Sequence, residues 1–380
     1  MATVLRAEAA VDLAAVRDNV AALRAAAGEA EVMAVVKADG YGHGLVPCAR
    51  AAVAGGASWL GVAFVEEALA LRAAGVSAPT LAWLFAPAEP RLSEAVAAGV
   101  DLSVSAVWAV AEVAAAARAC GVPARVHLKA DTGLGRGGAP GLQWADLLAA
   151  AGAAAADGSV RVVAVWSHLA HADAPAHPTT ERQAAAFRDA VAAAESAGFT
   201  LELRHLANSA VTLTRRDLHF DLVRPGLAVY GLTPVPETAP PERLGLRPAM
   251  TLRARVALAK RVPAGSGVSY GHRYTTAREA TLALVPLGYA DGVPRDATNT
   301  AEVWVAGRRR RIAGSVCMDQ FVLDVGDDPV REGDEVVLFG PGGGGEPTAQ
   351  EWADALGTIS YEIVTRVGPR VPRTYDGEPG

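Results

Sequence analysis

The chain has 380 residues, of which 51% are apolar and 20% charged, and a formal net charge of -6. This composition supplies a sizeable packed core and excludes a disordered or collagen-like chain. The mild acidity argues against non-specific nucleic-acid binding, which needs a basic surface.

Along the chain, the N-terminal run carries Arg6, Glu8 and Asp12 with no apolar leader segment, so a cytoplasmic location is expected. A helix is predicted over residues 12–27, with Asp12 as its N-cap. Strand-like apolar runs follow at residues 32–39, 59–64, 80–85, 101–105, 124–131, 160–168, 201–209 and 222–232. Each is short and apolar on both faces, as parallel strands covered by helices are. Alanine-rich helical stretches lie between them, among them residues 105–119, 142–156 and 180–197. Eight strands alternating with helices predict an α/β architecture, a (β/α)8 TIM-type barrel over residues 1–240. An open doubly wound sheet is the rival, and the count of eight favours the barrel. The longest uncharged stretch, residues 73–88, contains Pro79 and Pro87. It falls short of the ~18–20 apolar residues a membrane span requires.

Residues 233–250 hold five prolines and read as a linker. Beyond it come short β-type runs separated by Gly, Pro and Asp turns, with one helical stretch at 349–356. They predict a mainly antiparallel β domain over residues 241–380. The Arg308–Arg311 run reads as a solvated hairpin face rather than a phosphate or nucleic-acid contact. Cys48, Cys120 and Cys317 fit neither a disulfide framework nor a zinc pattern.

Only three lysines occur, Lys37, Lys129 and Lys260, while nearly every other cation is arginine. A lysine retained against that bias is a candidate for chemistry arginine cannot perform, since an amine can lose its proton and attack a carbonyl. Lys260 lies in an unremarkable run. Lys37 and Lys129 lie at strand ends, where a barrel builds its active site.

The other unusual polar residues gather at strand ends too. The first strand ends in Lys37-Ala-Asp39-Gly-Tyr41-Gly-His43-Gly44, and the fifth in Lys129-Ala-Asp131 followed by Arg136. The sixth ends in His168, the seventh in Asn208-Ser209, and the eighth carries Arg224-Pro-Gly226. Any one of these alone is adequately explained as a cap or turn residue; agreement at five strand ends is not. Lys37 follows four apolar residues, so its amine is partly desolvated and its pKa lowered, as a nucleophile or base requires. Gly40, Gly42, Gly44, Ser209 and the Gly226 backbone are candidate phosphate donors. A lysine beside a phosphate cradle reads as pyridoxal phosphate chemistry.

Two competing motifs are weaker. Residues 133–138 match the GxGxxG dinucleotide fingerprint, but Pro140 interrupts the run into the next helix and no acidic residue ends the following strand. His168, His171, Asp173 and His177 are too loosely spaced, in a loop-like segment, to read as a metal site.

The segments AVVKADGYGHG (34–44), HLKADTGLGRGG (127–138), WSHLAHAD (166–173), LANSA (206–210), VRPGLAVYGL (223–232), GVSYGHRYTT (267–276), PLGYADG (286–292), GSVCMDQ (314–320) and ISYEIVTR (359–366) together resemble the alanine racemases. The resemblance runs in order through both expected domains. It implies a bacterial enzyme that interconverts L- and D-alanine with pyridoxal 5'-phosphate, supplying D-alanine for peptidoglycan. By position, Lys37 resembles the lysine that holds the cofactor and acts as one base. Tyr270 resembles the opposite base, contributed by the partner subunit, so the resemblance implies a homodimer with shared active sites. His168 matches the residue that links this tyrosine to Arg224, and Arg224 matches the arginine facing the pyridine nitrogen. Tyr41, Ser209, Gly226, Leu227 and Tyr361 resemble the phosphate ligands, with Asn208 adjoining them. Arg136 and Met318 match contacts to the substrate carboxylate. Lys129 matches a lysine that is carbamylated in some members. Tyr289, Arg295 and Asp173 match residues of the substrate corridor. Leu134, Gly137 and His171 depart from the usual pattern without touching the implied chemistry, although Gly137 is expected to loosen the Arg136 loop.

Two alternatives remain at this point. One is a racemase-fold protein whose main role is to bind an alanine-mimicking antibiotic, as in self-resistance. The other is a fold-related decarboxylase, for which Cys317 and Asp319 superficially offer the needed pair; Tyr270 and the 286–292 segment fit a racemase better.

Overall fold

Short, almost fully buried strands rich in Val, Leu and Ala form the inner ring of the first domain in the computed structural model, which describes residues 5–377. Residues 1–4, where the N-terminal run considered above begins, lie outside the described residues. The eight strands are Glu31–Val35, Trp59–Val62, Thr80–Ala82, Asp101–Val104, Ala124–Lys129, Val160–Trp166, Leu203–His205 and Leu222–Val223. They pair in parallel in chain order, and the last pairs with the first through Glu31↔Leu222 and Val32↔Val223. Between the seventh and eighth strands the ring is joined by Asp221 N–H donating to the Arg204 carbonyl and Arg224 N–H to the Ala207 carbonyl. This is the TIM-type barrel that the alternation predicts.

The helices follow the patterning closely. Leu13–Ala27 is capped by Asp12, whose carboxylate accepts the Ala15 N–H at 2.9 Å, and buries Val16, Val20 and Leu23 on one face. Val107–Cys120, Gly141–Ala156 and Pro178–Ser196 cover the ring where helices are expected. The strand runs are shorter than their apolar stretches. The first stops at Val35 and the eighth at Val223, and the residues beyond them form turns that face the barrel mouth.

The C-terminal part holds a six-stranded sheet in the order Arg308–Arg311, Glu302–Val305, Glu335–Phe339, Met250–Arg255, Ala7–Asp12, Arg373–Asp376. A three-stranded antiparallel sheet, Leu258–Val262, Ala280–Val285 and Phe321–Gly326, lies beside it. The strand Ala7–Asp12 is not evident from the sequence. Its AEAAVD composition has weak strand propensity, and its partners lie more than two hundred residues away. Arg309, Arg310 and Arg311 pair with Glu351, Asp328 and Glu302, so the basic strand is an ion-paired face. No helix among the described residues is long and apolar enough to cross a membrane.

Candidate active site

A cavity of about 380 Å³ opens at the C-terminal ends of the barrel strands. Lys37, Lys129, Arg136, Arg224 and His168 line it, and among the described residues no carboxylate does. Four hydroxyl side chains, Tyr41, Ser209, Tyr361 and Thr365, share its wall with the rings of Trp83 and Trp166. Tyr361 comes from the helix Ser360–Thr365 of the C-terminal part, so both parts of one chain build this cavity.

Lys37 is presented by an unusual turn. Ala38, Asp39 and Tyr41 have φ of 54°, 53° and 52°, and Gly40 and Gly42 are also left-handed, at 61° and 81°. Each non-glycine residue there costs about 1–2 kcal/mol of backbone strain, so side chains must hold the turn. Glu67 does so from the helix Val65–Ala73, which follows the second strand: one carboxylate oxygen accepts the Ala38 N–H at 2.6 Å, and the other accepts the Ala63 and Phe64 N–H groups at 2.9 and 3.2 Å. Asp39 accepts the Leu45 N–H at 2.8 Å, and Arg373 donates to the Gly42 carbonyl at 2.9 Å. The glycine-rich sequence signals a turn, but Glu67 carries no motif.

At the opposite side, Ser209 Oγ accepts from the N–H groups of Gly226 and Ala228 at 2.8 and 3.3 Å, tying the seventh strand's turn to the eighth's. Asn208 caps the helix Ser209–Thr214 through the Val211 N–H. A Cβ at Gly226 would lie 2.3 Å from the Tyr41 hydroxyl, so only glycine permits that approach. Leu227 opens the 3-10 turn Leu227–Tyr230, ahead of any acceptor within that turn. Tyr41 stacks on Tyr230 at 4.9 Å and lies 6.0 Å from the Tyr361 ring.

Burial dominates the electrostatics. It lowers the Lys37 amine, Arg136 lowers it further, and Glu67 partly opposes both. Burial with the charges of Arg224 and Arg136 brings Lys129 down to about 8, and its amine lies 4.3 Å above the Trp166 ring. Gly137 passes close to that amine, its notional Cβ 3.5 Å away. Arg136 projects from a loop shaped by Asp131, whose carboxylate accepts from Gly133, Leu134 and Gly135. The GxGxxG match is thus a loop that presents an arginine. Arg224 is buried, with Nη2 bonded to the Ser167 and Leu206 carbonyls and 3.3 Å from His168 Nδ1. Burial and then Arg224 push His168 down to about 3, so this ring is neutral at ordinary pH. Because arginine only donates, His168 Nδ1 accepts and its hydrogen resides on Nε2.

Tyr270, Met318 and Tyr289 do not line this cavity; they are 76%, 53% and 42% exposed on the C-terminal part. The Tyr289 and Ala290 N–H groups bond to the Cys317 and Met318 carbonyls, which places the four residues together. Ser269, just before Tyr270, sits at φ 61°, ψ -172°, a region almost confined to glycine. Ser269 Oγ donates to the Ser315 carbonyl at 2.7 Å and lies 3.3 Å from Cys317 Sγ, while Ser315 Oγ donates to the Tyr270 carbonyl at 2.9 Å. Asp319 pairs with Arg370 at 2.8 Å. Arg295 and Asp173 are exposed outside the cavity. His171 and His177 stack at 3.9 Å, and His177 caps the helix Pro178–Ser196, which accounts for both rings structurally. Trp83 and Trp166 are cavity residues that the sequence analysis passes over, for tryptophans in apolar strands read as core.

The fold and site define a barrel enzyme with a buried lysine of lowered pKa in a cationic, hydroxyl-lined cavity suited to a phosphate- or carboxylate-bearing ligand. Comparison with known proteins makes this specific. The profile of the alanine racemase N-terminal domain matches residues 11–234, and that of the C-terminal domain matches residues 249–375. An alanine racemase of Frankia casuarinae is 66% identical over 371 residues, covering 98% of this chain and 96% of its own. The crystal structure of alanine racemase from D-cycloserine-producing Streptomyces lavendulae matches at 58% identity with a TM-score of 0.97, covering 99% of this chain and 98% of its own. The alanine racemase of Streptomyces coelicolor matches at 59% identity and the same TM-score, covering 99% of both chains. The chain belongs to the alanine racemase family.

Proposed function

We propose that the protein interconverts L- and D-alanine with pyridoxal 5'-phosphate, by a two-base mechanism in a homodimer. The observation that carries this reading is the conjunction of Lys37 with Tyr41, Ser209 and Tyr361 in one acid-free cavity. The residues present fit the cofactor. Gly226 leaves open a cradle that a Cβ would close, and four cationic side chains balance a phosphate and a substrate carboxylate. Tyr41, Asn208, Ser209, Gly226, Leu227 and Tyr361 would hold the phosphate, Lys37 the carbonyl end and Arg224 the pyridine nitrogen. When bound, the cofactor supplies the electron sink that acidifies the α-proton of the amino acid.

Lys37, with its lowered amine, takes or returns the proton on one face. Tyr270 of the partner subunit does so on the other. A free tyrosine is a weak base near neutrality, and in this reading the Nε2–H of His168 would stabilise its phenolate. Arg224 keeps its own hydrogens, because burial lowers this guanidinium only to about 9, and it remains a donor towards a pyridine. Arg136 binds the substrate carboxylate, with Met318 of the partner subunit completing the contact. Lys129 faces Arg136, and carbamylation of its amine by carbon dioxide, as in some family members, would turn a repelling cation into an anion that positions Arg136. Tyr289 of the partner subunit, Arg295 and Asp173 border the substrate path, while Cys317 and Asp319 support the Tyr270 and Met318 loops. In the cell the product is D-alanine for peptidoglycan.

The test is proton NMR of L-alanine with the purified protein and pyridoxal phosphate in heavy water, followed by chiral analysis. Loss of the α-proton signal together with D-alanine supports the reading. Exchange without inversion leaves one base working and refutes the role of Tyr270; no exchange with cofactor bound refutes racemisation.

A further inference from the structure

Behind the cavity, inside the barrel, runs a chain of buried polar side chains that the proposed proton transfers do not use. Arg224 Nη1 lies 3.1 Å from His205 Nδ1, and His205 Nε2 lies 2.9 Å from His127 Nδ1. His127 Nε2 lies 3.1 Å from Asp101 Oδ2. None of the four residues is more than 5% exposed. Among the described residues Arg224 makes no ion pair with a carboxylate, and the acceptors around it are two imidazole nitrogens and two backbone carbonyls. A buried charge without a counter-ion is strongly unfavourable, so the source of compensation needs an account.

Hydrogen-bond polarity supplies one. A guanidinium has no acceptor, so His205 Nδ1 must accept and its hydrogen must sit on Nε2. That hydrogen points at His127 Nδ1, which therefore accepts, and His127 carries its own hydrogen on Nε2, facing the Asp101 carboxylate. One polarity satisfies all three links, with both rings neutral. A doubly protonated His127 would force two N–H groups to face each other, either along the His127–His205 line or along the His205–Arg224 line.

We infer that Asp101 is the counter-ion of Arg224, acting through His127 and His205, and that this relay fixes the charge and orientation of the guanidinium at the cavity. Asp101, His127 and His205 are thus positioning residues, acting on the reaction only through Arg224. The surroundings agree. Trp166 stacks on His205 at an interplanar angle of 9° and is itself anchored by its Nε1–H to Ser103 Oγ at 2.8 Å. Burial and the Arg224 charge hold His205 well below an ordinary imidazole. Burial alone would raise the Asp101 carboxyl, but the His127 hydrogen bond and a direct ion pair with Arg125 at 3.0 Å leave it lowered, so the carboxylate is shared between Arg125 at the barrel's outer side and the relay to Arg224.

The relay itself is a matter of this chain's own hydrogen bonds; its effect on turnover rests on the reading given under Proposed function. Nitrogen-15 NMR of histidine-labelled holoenzyme separates the two. The expected spectrum has His127 and His205 each protonated on Nε2 and bare on Nδ1; a proton on Nδ1 of either ring overturns the relay. Two substitutions at His127 then test its effect. The amide of His127→Gln still donates towards Asp101 and accepts from His205, whereas His127→Leu does neither. His127→Leu is expected to lower kcat at least about tenfold with KM nearly unchanged, and His127→Gln to keep kcat within about threefold. Equal losses in both variants, or none in either, overturn the positioning role. A native enzyme with the expected tautomers but no racemisation would instead count against the proposed reaction, leaving the relay intact.

Discussion

Replacing Glu67 by alanine tests whether the left-handed turn at Lys37 is held by that carboxylate. Three backbone N–H groups lose a charged acceptor, those of Ala38, Ala63 and Phe64. Hydrogen bonds to charged groups contribute about 1.5–3 kcal/mol each when protected and nearer 1 when partly solvated, as these are. The loss is therefore about 3 kcal/mol, comparable with the strain of Ala38, Asp39 and Tyr41 in their left-handed conformation. The turn should relax when the cofactor is absent, and rebuilding it on binding should weaken cofactor affinity by up to about two orders of magnitude. Removing the carboxylate also removes the charge that raises Lys37, so the amine should titrate lower still. Fluorescence titration of the apoprotein with pyridoxal phosphate measures the first effect, and the acidic limb of the racemisation pH profile measures the second. An affinity within twofold of the parent would refute the assignment of the turn to Glu67.

Further predictions follow from the site and its burial. Lys37→Ala should leave the barrel folded, abolish the absorbance of the lysine-linked cofactor and stop racemisation; turnover retained without added amine would refute the assignment. Tyr270→Phe should leave cofactor binding intact but slow racemisation at least about a hundredfold, with α-proton exchange surviving from one enantiomer only. Gly226→Ala would place a Cβ on the Tyr41 hydroxyl, so cofactor affinity should fall while Lys37 is still able to react; unchanged affinity would show that the approach matters little. Burial holds His168 at about 3 and His43 at about 4, below the unfolded value of 6.5. The unfolded chain therefore binds more protons in mild acid. Their stabilisation is complete above pH about 6.5 and declines below it, by about 1.4 kcal/mol per pH unit for each ring until its folded pKa is reached. Denaturant midpoints measured from pH 7 to 4.5 should fall accordingly, and a flat response would refute the neutral-ring account.

Local patterning determined the architecture of the first domain. Continuous apolar runs between alanine-rich helices can be buried on both faces only in a covered parallel sheet, and eight of them close a ring. It also set the candidate site, because Lys37, Lys129, His168, Ser209 and Arg224 each lie at or just beyond the end of a strand, and parallel strands bring their ends to one mouth. The helix at residues 349–356 was legible as well, and the structure adds a capping box at Thr348 and Glu351.

Tertiary structure decided what depends on partners far apart in the chain. The strand Ala7–Asp12 exists because Met250–Arg255 and Arg373–Asp376 flank it, and no local propensity announces that pairing. Glu67 reads as an ordinary helical acid until its carboxylate is seen clamping the turn at Ala38. His127 and His205 read as strand histidines, and Asp101 as a strand boundary. Only the closure of the barrel brings the three into line with Arg224, where hydrogen-bond polarity leaves each ring one permitted tautomer.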